Sequence, residues 1–274
     1  MNTVETLVKD LRALGLAPGD RVMVHASLRH LGPVAGGPEA VLDSLLNAIG
    51  PQGTLMAYVS WDRSPYEETL NGKRLSPAEK EAWPAFDPKT SAPYPGWGYL
   101  NAVICRHPAV RRSGNPDASM AAIGPLAESL VAEHPLDSGY GAGSPLERFI
   151  QQGGKVLLLG APLDALTVLH YSEAIAEIPD KRRVRLEMPI RMPAGEKRWV
   201  PLEDWDTNGI TDRFADAMEA GGLDAVESIA RAYVMGDRHA EGRVGNAKSY
   251  LFDARDLAAF GVAYLERHFG SSED

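Results

Sequence analysis

The amino-acid sequence predicts an α/β fold in which helices cover the faces of a central sheet. Up to residue 60 the helix and strand patterns alternate in the order αβαβ, which is typical of a layered sheet with helices packed on it. Further along, residues 155–159 form an apolar run that ends at glycine and proline, as expected for a strand buried on both faces. A chain of 274 residues, 44% of them hydrophobic, can bury one large core. We therefore expect residues 1–274 to form a single domain.

Two helices and two strands are predicted in the first part of the chain. The apolar spacing of residues 3–14 predicts a helix, and residues 21–25 predict a buried strand. This strand ends in His25-Ala26-Ser27-Leu28, whose short polar side chains and backbone N–H groups can hold an anion or a ligand amide. Residues 38–49 then predict a second helix, and residues 54–60 predict the second strand.

Residues 61–97 interrupt this pattern with six prolines and little periodicity. An irregular segment of this length in a compact domain is usually functional. Its acidic and aromatic side chains suit a polycationic, hydroxyl-rich ligand, because rings stack on sugar faces and carboxylates pair with ammonium groups. The candidate binding residues here are Asp62, Tyr66, Glu67 and Glu68, together with Trp61 and Trp97. The alternative is a solvated excursion stabilised by local caps and turns.

Short helices and one short strand are predicted next. The helices are expected at residues 98–106, 125–133 and 146–152, and the strand at residues 119–123. Ser144 before Pro145 has the pattern of a helix N-cap, and the preceding glycines lack the Gly-Lys-Ser/Thr ending of a phosphate-binding loop. Arg111 and Arg112 lie in a turn-rich segment and could face either phosphates or surface acids.

The strongest functional pattern lies in residues 155–180, where the buried strand leads directly into a helix. Asp164 is predicted to cap this helix and Pro179 to end it. Four polar side chains inside it are spaced by three and four residues, so that they form one stripe on the helix surface. They are Thr167, His170, Glu173 and Glu177. A strand that leads into a helix carrying His and Glu favours a catalytic base with its orienting group.

The rest of the chain predicts a hairpin, an acid-rich loop and a closing helix. Residues 182–192 and 197–205 alternate in polarity around a Pro-Ala-Gly-Glu turn, which predicts a β-hairpin. Residues 204–212 form a second acid-rich loop. A helix is expected at residues 224–233, a strand at 247–252 and the closing helix at 253–269, with Asp253 as its cap.

Composition and charge narrow the class of protein. Cys105 is the single cysteine, which excludes an intramolecular disulfide and fits a reducing cytoplasm. The amino-terminal segment lacks the apolar core of a signal peptide, and no apolar run approaches the thickness of a bilayer, so we expect a cytoplasmic protein without a membrane partner. A net charge of −9 argues against a nucleic-acid partner and favours cationic ligands.

His170 is the best placed of the seven histidines to act as a base. Glu173, three residues later, could bind one ring nitrogen and fix the tautomer, so that the other nitrogen meets a substrate proton. Thr167, one turn earlier, could donate a hydrogen bond to a developing oxyanion. The alternative is a core histidine that is satisfied by the neighbouring acid.

Ligand spacing does not indicate a metal site. The sequence has no HExxH or CxxC motif, so a zinc ion would have to be held by the distant residues His25, His107 or His239. We therefore expect no metal, and metal-dependent hydrolysis is the alternative function that a metal would bring.

Eight segments spread over nearly the whole chain are distinctive when taken together. They are Val24-His25-Ala26-Ser27-Leu28, WDRSPYEETL at residues 61–70, Arg111-Arg112-Ser113, Asp117-Ala118-Ser119-Met120, Leu158-Leu159-Gly160-Ala161, Thr167-x-x-His170-Tyr171-x-Glu173-Ala174, Lys181-Arg182-Arg183-Val184 and Trp205-Asp206-x-Asn208-Gly209-Ile210. In this combination the sequence closely resembles the aminoglycoside N3-acetyltransferase family. The family commonly has Ser-Ala-His-Pro where this chain has Ser113-Gly114-Asn115-Pro116, so no role of that histidine carries over.

The resemblance implies a three-layer α/β/α sandwich around a central mixed sheet, with a long irregular loop region and a β-hairpin insertion. This fold is distinct from the common acetyl-CoA N-acetyltransferase fold. The implied activity is transfer of acetyl from acetyl-CoA to the 3-amino group of a 2-deoxystreptamine aminoglycoside, which gives antibiotic resistance. His170, oriented by Glu173, would be the general base, and Thr167 would steady the oxyanion.

The resemblance also implies where the two substrates bind. Acetyl-CoA would lie along His25, Ala26, Ser27, Leu28 and the Gly160 turn, with Arg111, Arg112, Lys181 and Arg182 as candidates for its phosphates. The antibiotic would be bound by Asp62, Tyr66, Glu67, Glu68, Asp206, Asn208 and Asp212. Two other functions stay open, an acetyltransferase of the same fold for another amine and a non-catalytic binder of cationic antibiotics. The sequence is compatible with a monomer or a homodimer.

Overall fold

The computed structural model describes residues 1–207, 209–210, 212 and 225–270. Its strands are β1 (Arg21–Ala26), β2 (Thr54–Tyr58), β3 (Arg111–Arg112), β4 (Met120–Ile123), β5 (Lys155–Leu159), β6 (Arg183–Arg191), β7 (Lys197–Trp205), β8 (Ala240–Val244) and β9 (Ala247–Asp253). Seven of them form one mixed sheet in the order β3-β4-β2-β1-β5-β9-β8, and β6 and β7 form a separate hairpin. The predicted hairpin is therefore present.

Helices account for most of the remaining regular structure. They are α1 (Val4–Leu14), α2 (Leu28–Leu31), α3 (Gly37–Ile49), α4 (Tyr66–Thr69), α5 (Pro77–Ala82), α6 (Tyr99–Arg106), α7 (Ala127–Val131), α8 (Pro145–Gln151), α9 (Val168–Ile175), α10 (Ala225–Val234) and α11 (Ala254–Phe269). Ser144 and Asp253 cap α8 and α11 as predicted, because each side chain accepts a hydrogen bond from the backbone N–H three residues later. No helix in the described part of the chain is long and apolar enough to cross a membrane.

Successive residues of the central strands point into two different cores, which divides the fold into three layers. Met23 of β1 and Leu158 of β5 pack in the core formed with α8, α9, α10 and α11. Val22 and Leu157 pack on the opposite face with α1, α3 and α6. All four side chains are fully buried because both faces of the sheet are covered. The α/β/α sandwich around a mixed sheet is thus confirmed.

β1 lies in the middle of the sheet and pairs in parallel with β2 and β5. The carboxyl ends of these three strands therefore meet at one edge, where His25 lies opposite Leu158 and Ala26 opposite Leu159. The outer neighbours β4 and β9 run antiparallel to β2 and β5. Ligands of open α/β sheets bind beyond such carboxyl ends. A ligand site is therefore expected at this edge.

The irregular segment and the hairpin pack on each other. Thr69 at the end of α4 donates from its hydroxyl to the carbonyl oxygen of Glu187, and the backbone N–H of Arg191 donates to Phe86. The ammonium group of Lys197 donates to three carbonyl oxygens around the end of α5. Their small shared core contains Leu186, Met188 and Leu202, with Tyr66 packed against it. The segment at 61–97 is therefore a structured layer over the hairpin.

The helix predicted to run from Asp164 to Pro179 is shorter than expected. A 3-10 turn occupies Leu163–Ala165, Leu166 leaves the helical conformation with φ −72° and ψ 73°, and α9 begins only after Thr167. Asp164 consequently does not cap α9, and that prediction was wrong. At the other end, Lys181 donates to the carbonyl oxygens of residues 173, 174 and 176, which satisfies the last turn of the helix before Pro179 is reached.

Glu177 lies beyond the end of α9 and Thr167 lies just before its start, so only His170 and Glu173 of the predicted stripe are within the helix. The backbone N–H of Glu177 donates to the carboxylate of Glu266, and the Glu177 side chain is exposed. The edge strands β3 and β8 were not predicted. β3 has two residues, and Val244 is the one buried residue of β8, so neither shows an apolar alternation.

α9 is fixed in place by unusually close packing against α11. The hydroxyl of Ser172 donates to the carbonyl oxygen of Ala258 at 2.9 Å, and both residues are buried. Gly261 sits opposite, where an added Cβ would lie 2.5 Å from the Ser172 hydroxyl and 2.9 Å from Leu169. The absence of a side chain at Gly261 is therefore what lets the two helices approach.

We expect Gly261→Ala to lower the free energy of unfolding by about 1–3 kcal/mol. Alanine is roughly 1 kcal/mol more favourable than glycine inside a helix, but the clash of the added Cβ with α9 costs more than this. Urea unfolding followed by circular dichroism measures this change. Gly114→Ala is the matched control, since a Cβ there has no neighbour within 4 Å. A Gly261→Ala protein as stable as wild type would contradict the close α9–α11 contact.

Candidate functional site

A cavity of about 730 Å³ opens at the edge where β1, β2 and β5 end. This volume is in the range of small-molecule and cofactor sites. Its wall is built from the turn after β1, Tyr58 at the end of β2, the turn after β5 and the start of α9. The strand ends that the sequence singled out therefore converge on one space.

His170 and Glu173 face each other across one turn of α9. His170 Nδ1 lies 2.6 Å from Glu173 Oε2, and the glutamate side chain is only 1% exposed while the histidine is 28% exposed. His170 also lines the cavity, with the ring of Tyr140 packed 5.0 Å from its own. The acceptor oxygen assigns the proton to Nδ1 and turns Nε2 away from the carboxylate. The buried carboxylate thus holds the imidazole in one orientation at the cavity wall.

Thr167 also lines the cavity, one turn before His170. It is 6% exposed and occupies the residue just before α9, where the chain has turned at Leu166. Among the residues that the structure describes, its hydroxyl contacts the carbonyl oxygen of Ala165, at a long 3.5 Å. A hydroxyl held this loosely can turn its hydrogen toward a ligand oxygen.

The turn after β1 provides the side of the cavity that was assigned to the coenzyme. His25, Ala26, Ser27 and Leu28 all line it, whereas Gly160 lies behind the wall. The Gly160 carbonyl accepts a hydrogen bond from His30 Nδ1 at 2.8 Å. Gly160 has a φ of +67°, and an added Cβ would lie 2.9 Å from Ala247, so the residue forms a tight turn that favours glycine. Burial, with the nearby charge of His170, lowers the pKa of His25 to about 4, so its ring is neutral at physiological pH.

The acids expected to bind the antibiotic are spread over several places, and none of them lines this cavity. Asp62, Glu67 and Glu68 are exposed, and Glu67 faces Lys73 at 3.8 Å. Asp206 and Asp212 share a shallow depression, where Asp206 pairs with Arg182 at 3.0 Å. Asn208 lies outside the described residues.

Tyr66 connects the irregular segment to a set of buried acids. It packs on the hairpin core, and burial together with Asp117, Asp206, Glu67 and Asp204 raises its pKa to about 12. The phenol therefore stays protonated and can donate as well as accept a hydrogen bond. Tyr66 thus packs on the hairpin core and lies near the acids Asp117 and Asp204.

Four residues near the site were not predicted as ligands. Tyr58 and Tyr140 line the cavity with their hydroxyls 2.8 Å apart. Burial raises the pKa of Asp117 to about 6 and that of Asp204 to about 6. Asp117 accepts from the Ser64 hydroxyl, and Asp204 from two backbone N–H groups. The acids were visible in the DASM segment and the acid-rich loop, but no sequence signal pointed to Tyr140.

Asn115 has a structural role in this chain. It is fully buried, donates from Nδ2 to the carbonyl oxygen of Pro135, and accepts at Oδ1 from the backbone N–H groups of Asp117 and Ala118. The amide thus fixes the turn that presents Asp117.

The four basic residues suggested for the coenzyme phosphates are engaged elsewhere. Arg111 pairs with Glu128 at 3.0 Å, and Arg112 is held by the carbonyl oxygens of Ser60 and Ser91. Lys181 and Arg182 make the contacts to α9 and Asp206 described above, and none of the four lines the cavity. Within the described ranges there is no group of three or more His, Cys, Asp or Glu side chains that could hold a metal ion.

Comparison with known proteins identifies the family. The model of the aminoglycoside 3-N-acetyltransferase family matches residues 23–266. The chain belongs to this family. An aminoglycoside N(3)-acetyltransferase III of Serratia marcescens is 58% identical over 271 residues, covering 99% of this chain and all of the relative. The resemblance drawn from the sequence segments is thereby confirmed.

Solved structures of family members have the same fold. AAC-VIa bound to sisomicin superposes with a TM-score of 0.92 at 48% identity, covering 98% of this chain and 99% of the other. AAC-IIIb in a binary complex with CoASH superposes with a TM-score of 0.91 at 40% identity, covering 99% of both chains. The fold is therefore that of the aminoglycoside acetyltransferases.

The half-buried carboxyl of Asp117 should make stability depend on pH. Burial raises the pKa of Asp117 from 3.8 to about 6. Between these two pH values the folded chain keeps a proton on Asp117 that the unfolded chain has already released. The stability that this proton contributes is complete below about pH 4 and is lost as the pH rises through about 6. Asp117→Asn cannot ionise and still accepts from Ser64. We expect the variant to gain stability over wild type as the pH rises, by at most about 3 kcal/mol between about pH 4 and 7.

Urea unfolding at a series of pH values measures this difference. Asp43→Asn removes a carboxylate that is exposed on α3 and is the matched control for the loss of a charge. A flat difference for Asp117→Asn would show that Asp117 is not buried as described.

Proposed function

We propose that the chain transfers the acetyl group of acetyl-CoA to the 3-amino group of a 2-deoxystreptamine aminoglycoside, with His170 as the general base. The observation that carries this proposal is the 2.6 Å bond between His170 and the buried carboxylate of Glu173 at the wall of the cavity. The relative with bound CoASH supports the donor, and the relative with bound sisomicin supports the acceptor.

The chemistry follows from this pair. The 3-amino group attacks the thioester carbonyl carbon, and Nε2 of His170 accepts the proton that the attack displaces. Glu173 stabilises the resulting imidazolium, because its carboxylate already holds Nδ1. When the carbon–sulfur bond breaks, the coenzyme thiolate takes the proton from the imidazolium, which restores the starting state. The thioester is already activated, so no covalent enzyme intermediate is needed.

Thr167 is proposed to donate to the oxyanion of the tetrahedral intermediate. Its hydroxyl lines the same cavity as His170, one helical turn away, and lacks a short hydrogen bond of its own. The loss of one such donor typically raises the barrier by about 3 kcal/mol. Thr167 can therefore act on the carbonyl oxygen while His170 acts on the nitrogen.

The two substrates are proposed to approach from different sides. Acetyl-CoA lies along the turn after β1, where His25 to Leu28 line the cavity. The antibiotic lies toward the hairpin and the irregular segment, where Tyr66, Asp206 and Asp212 join the half-buried Asp117 and the buried Asp204. The exposed acids Asp62, Glu67 and Glu68 add a negative field that attracts a polycation before it docks.

His170→Ala should lower kcat about 10²- to 10⁴-fold, which is the usual contribution of a general base. Glu173→Gln should lower it about 10- to 100-fold, because an amide holds the ring but does not stabilise its positive charge. Thiol release from acetyl-CoA with a panel of aminoglycosides gives the rates, and mass and NMR analysis of the product gives the acetylated position.

His107→Ala is the control for this experiment, since His107 is outside the cavity, and its kcat should match wild type. A non-catalytic binder would give no thiol release in any of these proteins and would protect cells equally well with each of them. A metal-dependent reaction would stop on addition of a chelator, which we expect to have no effect.

Recognition by acids predicts that kcat/KM for the antibiotic falls several-fold as sodium chloride rises from about 20 to about 500 mM, because salt screens the attraction between charges. The kcat at saturating antibiotic should change little, since the bound state is already formed. Initial rates at subsaturating and saturating antibiotic measure both quantities. Rates that stay flat at subsaturating antibiotic would refute recognition by acids.

A further inference from the structure

The ring of Tyr140 packs on the imidazole of His170. Their ring centroids lie 5.0 Å apart with the two planes tilted by 46°, and both side chains line the cavity. The bond between His170 Nδ1 and Glu173 restrains one edge of the imidazole, but a single hydrogen bond tolerates some rotation of the ring about it. The contact with Tyr140 is a second restraint on the same ring, and it comes from a different part of the chain.

The hydroxyl of Tyr140 is bonded to the central sheet. It lies 2.8 Å from the hydroxyl of Tyr58, the last residue of β2. The Tyr58 hydroxyl donates to the backbone carbonyl oxygen of Asp117 at 3.4 Å, so Tyr140 is the donor in the bond between the two phenols. Burial raises the pKa of both phenols above the ordinary value, so both keep their protons at physiological pH. The ring of Tyr140 is therefore anchored at its outer end.

The backbone beside Tyr140 is fixed by two further side chains. Burial lowers the pKa of His134 to about 4, so its ring is neutral. His134 Nε2 then donates to the carbonyl oxygen of Gly139 at 2.7 Å, while Nδ1 accepts from the hydroxyl of Ser113 at 2.8 Å. The N–H of Gly139 donates to the carboxylate of Asp204 at 3.0 Å. Both backbone groups of Gly139 are thus bonded, which fixes the point from which the Tyr140 side chain extends.

The ring of Tyr140 is also placed to act on the charge that His170 acquires during acetyl transfer. When Nε2 accepts the substrate proton, the imidazole becomes a cation. A cation within about 6 Å of the centroid of an aromatic ring is attracted to the negative face of that ring. The neutral imidazole of the starting state lacks this attraction, so it lowers the barrier of the chemical step and has little effect on substrate binding.

We propose that Tyr140 is a positioning residue for acetyl transfer, which holds the imidazole of His170 in place and stabilises its positive charge once Nε2 is protonated. The inference rests on the proposed function and adds to it a residue from the loop between α7 and α8. The aromatic ring is the part that acts on His170, and the hydroxyl anchors this ring to Tyr58.

The test compares two substitutions of Tyr140 by their kcat for thiol release at saturating acetyl-CoA and aminoglycoside. Tyr140→Leu removes the ring and should lower kcat about 10- to 30-fold, the factor expected for loss of a desolvated cation–π contact. Tyr140→Phe keeps the ring and should stay within about 3-fold of wild type. The KM for each substrate should change by less than about 3-fold in both variants, because the attraction develops only with the charge. An equal loss of kcat in the two variants would overturn the proposal.

Combination with His170→Ala shows whether Tyr140 acts through His170. In a protein that already carries His170→Ala, the further change Tyr140→Leu should leave the residual kcat unchanged, because the ring then has no imidazole to hold. A further loss of about 10-fold in the double variant, as large as in the single one, would mean that Tyr140 acts on the substrates or on the fold, and the proposal would be wrong.

Tyr250→Leu is the matched control. The ring of Tyr250 also packs on an imidazole, with its centroid 5.5 Å from that of His239, but neither residue lines the cavity. Its kcat should match wild type. Absence of thiol release from the wild-type protein would refute the proposed function itself, whereas a wild-type kcat in Tyr140→Leu would overturn this inference alone.

A fluorinated ring keeps the test decisive if Tyr140→Leu does not fold. Replacement of Tyr140 by trifluorophenylalanine nearly preserves the shape of phenylalanine but weakens the negative charge on the ring face. The kcat of this protein should be several-fold below that of Tyr140→Phe. Equal kcat values in the two proteins would contradict stabilisation of the His170 charge by the ring.

Discussion

The hydrogen bond between His170 and Glu173 is the contact on which the rest of the site depends. A carboxylate that is 1% exposed requires a partner inside the protein, because an unpaired buried charge is strongly destabilising. The imidazole provides that partner, and in doing so it is held in one orientation at the cavity wall. The same bond therefore stabilises the acid and positions the ring.

The surrounding structure serves to place this pair. The break at Leu166 ends the 3-10 turn and lets α9 start at Val168, so that Thr167 and His170 both reach the cavity. Lys181 closes the last turn of α9, and Gly261 lets α11 press against it. Each contact restrains the short helix from a different direction, so that an eight-residue helix and the Thr167 cap before it hold two side chains at the cavity.

The parts of the fold that could be predicted are those encoded by local pattern. The buried strands β1, β2 and β5 and the hairpin have apolar periods of their own, and the pairing of His170 with Glu173 follows from helical spacing alone. The limits of α9 could not be predicted. Asp164 is a valid local signal for a helix start, but the chain breaks the helical conformation at Leu166. Pro179 is a valid signal for a helix end, but Lys181 already satisfies the last carbonyl groups of α9.

Other features of the site depend on contacts between remote segments. Tyr140 meets Tyr58 and His170 only after the sheet has formed, and nothing in its own neighbourhood in the sequence marks it. Likewise, sequence identifies Asp62 and Glu67 as acidic but does not tell which way a loop residue points. Asp117 differs from these exposed acids because burial raises its pKa, and burial cannot be predicted from the residue type.

The hairpin has a thermodynamic consequence of its own. In the described part of the chain it shares no backbone ladder with the large sheet, and its small core consists of Leu186, Met188 and Leu202 with a few partly buried neighbours. Opening it exposes much less apolar area than unfolding the central layers. Its amide hydrogens should therefore exchange with solvent deuterium well before those of β1 and β5. The hairpin can then open locally while the central strands that support the cavity keep their hydrogen bonds.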